Sequence, residues 1–211
     1  MNNLKKSVLL ALIVAFLITS CSDSPTGTDE NESEIEVHTI EDLHAPMDRD
    51  SDVREYVRFS LRTGEVIAEA NADDNNWDIG FAGTDIILNS GIHGEGEAGA
   101  LLLDLPFEEV EMAPASGYAG DTEEENAITG WYNYTGQTGS PIHAVLAKED
   151  VTIVVKTADG SHYGKIQIVS YYKGSPDPGT EEFANLQTRP DEQHYTFRYA
   201  IQRSEGVRDL K

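Results

Sequence analysis

From residue 35 onward, apolar side chains come in short runs with a period of two, broken by turn residues. Residues 53–61 alternate around Tyr56, Arg58 and Ser60. Arg62-Thr63-Gly64-Glu65 reads as a tight turn, and Val66-Ile67-Ala68 begins a return strand, so a hairpin is predicted there. After Asn75-Asn76, the spacing places Trp77, Ile79 and Phe81 on one strand face. Residues 85–88 continue as a strand that stops at Asn89-Ser90-Gly91, and Leu101-Leu102-Leu103 opens another buried segment. Residues 107–112 predict one turn of helix. Residues 151–156 predict a strand, Ala158-Asp159-Gly160-Ser161 a hairpin turn, and residues 163–172 the partner strand, with Ile166, Ile168 and Ser170 on one face. A loop rich in Pro and Gly spans 174–182, and residues 194–201 alternate as a last strand. The expected class is all-β, mainly antiparallel, with little helix. No repeat and no second domain break the stretch 35–211.

The N-terminus follows a different pattern. Met1 to Lys6 is short and basic, residues 8–18 are apolar, and Leu17-Ile18-Thr19-Ser20-Cys21 closes the run. This predicts a signal peptide over 1–20, cut before a Cys21 that becomes lipidated. The apolar run is too short to span a bilayer, so the expected tie to the membrane is a lipid anchor. Residues 22–34 carry no apolar side chain larger than proline, and an acidic tether over 21–34 is expected, without enough burial to offset chain entropy. An acidic stretch after the lipidated Cys is similar to the surface-export signals of Bacteroidetes-type lipoproteins.

Charge narrows the partners. Lys and Arg total 15 against 38 Asp and Glu, a net charge of -23. Loss of Lys5 and Lys6 with the leader takes it to -25. Such a chain repels phosphate backbones, which argues against nucleic acid as a ligand. Cys21 is the only cysteine, so the domain has no disulfide, no thiolate cluster and no Cys nucleophile. The glycine-rich stretch 92–100 lacks a basic residue and the strand-then-helix setting of a phosphate cradle. No G-x-S-x-G elbow, H-E-x-x-H pair or acidic calcium loop is present, and the expected protein is not an enzyme.

The motifs in order are Trp77-Asp78-Ile79-Gly80-Phe81, then Asn89-Ser90-Gly91 with its glycine-rich follow-on, then Trp131-Tyr132-Asn133-Tyr134. Thr157-Ala158-Asp159-Gly160 comes next, with Tyr163-Gly164-Lys165-Ile166-Gln167-Ile168 and Ser170-Tyr171-Tyr172, and Tyr195-Thr196-Phe197-Arg198-Tyr199 closes the series. Together with the lipobox, this order resembles the HmuY-like haem-binding lipoprotein family over roughly residues 35–203. The resemblance implies a two-sheet β haemophore on the outer membrane, facing the cell exterior. Such a protein takes up haem for iron acquisition and passes it to a TonB-dependent receptor. It also implies a cleft between loops with axial His or Met ligands.

Haem iron takes a lone-pair donor on each axial side. His143, between the aromatic segment and a strong strand, stands where the family resemblance puts a ligand-bearing loop. Met112 lies in the stretch matching the family's other loop, with Glu108, Glu109 and Glu111 opposing haem propionates beside it. His93, flanked by Gly94 in the glycine-rich loop, is its rival. Trp131, Tyr132 and Tyr134 are candidate pocket aromatics. No metal is expected beyond haem iron. Trp77 and Asp78 read as architectural, the carboxylate capping a turn or pairing with a buried donor. Lys165 and Arg198 read as cations that meet propionates or balance nearby acids. A surface lipoprotein that binds a glycan or a protein on the same scaffold is the alternative, with the three aromatics stacking on sugar.

Overall fold

A computed structural model describes residues 35–48, 50–51, 54–69, 72 and 75–211. The expected leader, Cys21 and the tether lie outside the described residues. Residues 34–211 group as one compact unit. The strands are β1 (Val37–His44), β2 (Val57–Ser60), β3 (Glu65–Ile67), β4 (Ile79–Ala82), β5 (Asp85–Leu88), β6 (Gly99–Leu103), β7 (Tyr132–Tyr134), β8 (Val145–Ala147), β9 (Thr152–Lys156), β10 (Tyr163–Tyr172) and β11 (Glu192–Ile201). A 3-10 turn covers Phe107–Glu109, and the short helix α1 covers Glu181–Ala184. The protein is all-β. Antiparallel pairing builds a five-stranded sheet in the order β1-β11-β10-β9-β6, a four-stranded sheet in the order β3-β2-β4-β5, and the separate hairpin β7-β8. The two main sheets were expected; the third, two-stranded one was not.

Alternation decides which side chains meet. Phe59, Phe81, Ile153, Val155, Ile166, Ile168, Phe197 and Tyr199 fill the main core between the sheets, with Trp131 and Tyr195 at one end. Its aromatic members pack edge-on and offset, with Phe59 and Phe81 each 5.4 Å from Phe197. The opposite face of the five-stranded sheet is covered as well. Val154, Leu101 and Leu103 meet Val110, Ala113 and Leu210 there. Lys165 on that face donates to the carbonyls of Phe107 and Val110 at 3.1 and 2.8 Å, above the Phe107 ring. Arg198 pairs with Glu108. Both cations are thus engaged by the 3-10 turn.

Two expected faces are corrected. Trp77 is buried, but under the guanidinium of Arg58 at 5.1 Å rather than in the main cluster beside Ile79 and Phe81, because the strand begins only at Ile79. In β10 the register shifts on either side of Ser170, so Val169 is exposed and both Tyr171 and Tyr172 join the core.

Asp78 ties the two main sheets. It has no exposed surface. One oxygen accepts the Leu61 N–H after β2 at 2.8 Å, and the other accepts the Ala158 N–H after β9 at 2.8 Å. Burial raises its pKa above the usual carboxylate value. Arg62 Nε lies 3.8 Å from it and Arg62 Nη1 donates to Asp159 at 2.8 Å. Asp159 also meets the Thr157 hydroxyl at 2.6 Å, the Ser161 N–H at 3.0 Å and His162 Nδ1 at 3.0 Å. Burial alone would raise the Asp159 pKa, but these hydrogen bonds and the cations hold it down at about 2.

Asp78→Ala strands two buried N–H groups at about 1–3 kcal/mol each. A loss of several kcal/mol in urea unfolding is expected, with the β2-β3 and β9-β10 turns losing hydrogen-exchange protection first. For Asp159 the depressed pKa sets the sign. Its stabilisation is complete above the ordinary carboxylate value of 3.8 and fades as pH falls toward about 2. Asp159→Asn is therefore expected to be less stable than the wild type at pH 7 and to approach it near pH 2, as read by urea unfolding across that range.

Candidate functional site

Hairpin β7-β8 places the candidate ligand His143. The ladder pairs Tyr132 with Ala147 and Tyr134 with Val145, and the loop 135–144 projects beyond it. Its base is closed by Thr135 N–H to the Ala144 carbonyl at 2.9 Å, by Ala144 N–H to the Thr135 hydroxyl at 2.8 Å, and by His143 N–H to the Gly136 carbonyl at 2.7 Å. His143 holds φ +48°, a left-handed conformation uncommon outside glycine and more frequent for His than for most residues. The imidazole is half-buried, and its Nδ1 lies 2.7 Å from the Tyr134 hydroxyl.

Three elements hold this loop from below. Arg189 donates to the carbonyls of Ile142, His143 and Phe183 at 2.9, 3.1 and 2.8 Å, and its guanidinium stacks 4.7 Å above the Phe183 ring of α1. The Tyr172 hydroxyl at the end of β10 accepts the Val145 N–H at 3.0 Å. Burial raises the Tyr172 pKa, keeping the phenol neutral. Beside the loop runs a groove of mixed polarity, about 110 Å3, lined by Val145, Leu146, Glu149, Ser170, Tyr172 and Phe183. Ile142, Tyr134 and Leu186 are exposed at 38%, 59% and 55%. Of these, Tyr134 and Ile142 stand beside the His143 imidazole and offer apolar surface to a ligand.

The other expected residues lie elsewhere. Met112 is exposed at 59% and sits opposite Asp209 in an isolated bridge, beside the small outer cluster of Val110, Ala113 and Leu210. His93 packs edge-on against Tyr56 at 5.5 Å and borders a cleft of about 210 Å3 with Trp77, Arg58 and Asn89. Gly94 does not give it a swivel: a Cβ there would stand 2.0 Å from Asn89 Oδ1, so the glycine serves close packing. Gly91 shares that role, with φ +59° and a Cβ position 2.0 Å from the Asp121 carbonyl. The contacts of His143, Met112 and His93 share no residue.

The three aromatics divide. Trp131 is a core residue, 2% exposed, with its Nε1–H donating to the Thr84 carbonyl at 3.3 Å. Tyr132 is half-buried against it at 4.7 Å. Only Tyr134 meets His143. Trp131 and Tyr132 instead border a separate cleft of about 330 Å3, with Thr84, Asp85, Asn126 and Thr129 as its polar side chains. Arg189, Ile142 and Leu186 had no sequence signal, because each lies in irregular chain whose packing partners are distant in sequence. No protein-family model matches the chain, and no curated protein matches it significantly. Among the described residues, no group of three or more His, Cys, Asp or Glu is arranged to hold a metal ion, and no helix is long and apolar enough to cross a membrane.

Arg189→Met should free the His143 loop without unfolding the sheets. The expected outcome is faster amide exchange over residues 136–144 and 181–186, with unchanged exchange in β10 and β11.

Proposed function

We propose that the chain is a surface lipoprotein that binds haem by a single surface-held imidazole and hands it to a TonB-dependent outer-membrane receptor. It acts by binding rather than catalysis, anchored to the outer membrane through Cys21. The observation that carries this reading is the His143–Tyr134 pair. Metal-ligating imidazoles give their second ring N–H to a fixed acceptor, which sets the tautomer and leaves the other nitrogen's lone pair for the metal. With Nδ1–H donated to the Tyr134 oxygen, His143 offers Nε2 to iron.

The surroundings suit a porphyrin face. Tyr134 and Ile142 supply apolar contact, and Arg189 anchors the loop from beneath. The grooves beside His143, His93 and Trp131, of about 110, 210 and 330 Å3, lie near or below the lower end of ordinary ligand pockets, about 300–1,000 Å3. Haem would accordingly lie on this exposed surface, with one axial ligand from the chain. Met112 and His93 stay outside that ligand set unless the loops rearrange.

The cleft beside Trp131 favours a second reading, a lipoprotein that binds a glycan or another polar ligand. An aromatic wall with Thr84, Asp85, Asn126 and Thr129 around it is the chemistry of a sugar subsite.

Hemin titration of residues 34–211, followed by absorbance, separates the two. Haem binding predicts a saturable Soret band at one haem per chain, abolished by His143→Ala and weakened roughly 10–100-fold by Tyr134→Phe, the usual cost of losing an outer hydrogen-bond partner. Met112→Ala and His93→Ala should leave it unchanged. A titration identical to hemin in buffer would refute the haem reading and direct attention to glycans at the Trp131 cleft.

A further inference from the structure

A second pair of imidazoles meets on the edge of the five-stranded sheet, and it does not depend on the haem reading. His44 at the end of β1 lies directly opposite His194 near the start of β11. The neighbouring Ala45 N–H donates to the Gln193 carbonyl at 2.9 Å, so Ala45 and Gln193 occupy a hydrogen-bonded position of the ladder. His44 and His194 then occupy the adjacent non-hydrogen-bonded position, where opposite Cα atoms approach to about 4.5 Å and side chains are closest. Their neighbours Leu43 and Tyr195 pack into the core, and alternation turns both imidazoles outward. The rings stack with centroids 4.4 Å apart and planes 18° from parallel.

The tautomer of His194 is fixed. Its Nδ1 lies 2.9 Å from the Glu192 carbonyl oxygen. A carbonyl only accepts, so Nδ1 carries the hydrogen, and in the neutral ring Nε2 holds the lone pair. An imidazole braced through Nδ1–H to a backbone carbonyl is in the state that ligates metal. Paired strands hold the two rings, and the net charge of -23 concentrates cations around the protein.

We infer that His44 and His194 form a surface site for a divalent transition-metal ion of the class that favours imidazole, Ni2+, Cu2+ or Zn2+. Stacked rings hold their nitrogens side by side, so chelation turns one ring about χ2, a broad torsion. No third protein ligand gathers at the pair among the described residues, so water completes the coordination and the expected affinity is micromolar.

The test is a Ni2+ titration of the full chain, free of any affinity tag and held in detergent, followed by calorimetry and by proton NMR of the six histidine rings. One ion per chain is expected, with paramagnetic loss of two imidazole signals before the others. His44→Gln and His194→Gln should each remove this binding without lowering the melting temperature, and His143→Gln should retain it. Absence of saturable binding overturns the inference. So does binding of unchanged strength in either His44→Gln or His194→Gln.

Discussion

Both oxygens of the Asp78 carboxylate are taken by backbone N–H groups, one following β2 of the four-stranded sheet and one following β9 of the five-stranded sheet. Two sheets packed through apolar side chains alone could slide, since dispersion and hydrophobic burial are not directional. A buried carboxylate with two fixed donors is directional, and leaving either donor unpaired is costly. This single side chain sets how the β2-β3 turn and the β9-β10 turn approach each other. Arg62 and Asp159 then close over it from the same two turns. Asp121 repeats the device at the Leu88 end of β5, accepting Leu88 N–H and Ala127 N–H at 2.7 Å each, and this holds the long irregular segment before β7 against the sheet. In a chain so rich in acids, these two buried aspartates act as acceptors within the fold, while most of the other acids among the described residues face water.

Strands bounded by clear turn residues were legible in the sequence. Residues 85–88 and 163–172 have the expected bounds, and the β2-β3 hairpin forms around its Gly64 turn. β1 was not singled out, and the reason is local. Asp42 adopts φ +52° at a register shift between Ile40 and Leu43, so the inward set passes from even to odd positions within eight residues. The same effect at Ser170 misassigned the faces of β10. β8 has three residues and α1 has four, too few to carry a period. What defines them is tertiary: Val145 N–H on the Tyr172 hydroxyl, and the Phe183 ring beneath Arg189.

The site was legible only in part, for a related reason. His143 stood out by its place between an aromatic strand and a strong strand, and the fold does present it on a projecting loop. The aromatic run beside it looked uniform as a string. A strand gives its members different fates, however, and Trp131 sank into the core while Tyr134 stayed at the loop. Met112 and His93 were singled out for donor type and loop setting, which carry no information about distance. Arg189 could not be found at all, because its role is to satisfy three carbonyls that meet only after α1 and hairpin β7-β8 have docked.

A common feature links the two imidazole sites. His143 and His194 each have Nδ1 occupied by a neighbour that the backbone fixes in place, the Tyr134 hydroxyl on β7 and the Glu192 carbonyl on β11. The partners differ in what they dictate. A carbonyl admits only one neutral tautomer, the one of His194 with its lone pair on Nε2. A phenol can donate or accept, so the His143–Tyr134 pair has two states, one with the lone pair on imidazole Nε2 and one with the proton on that nitrogen. In the proposed haem-bound form, iron on His143 would select the first state, and the hydroxyl hydrogen of Tyr134 would turn away to solvent, which its exposure of 59% permits. On that proposal, the exposed position of Tyr134 is what would let a neutral hydrogen-bonded pair become a ligand with its partner already in place.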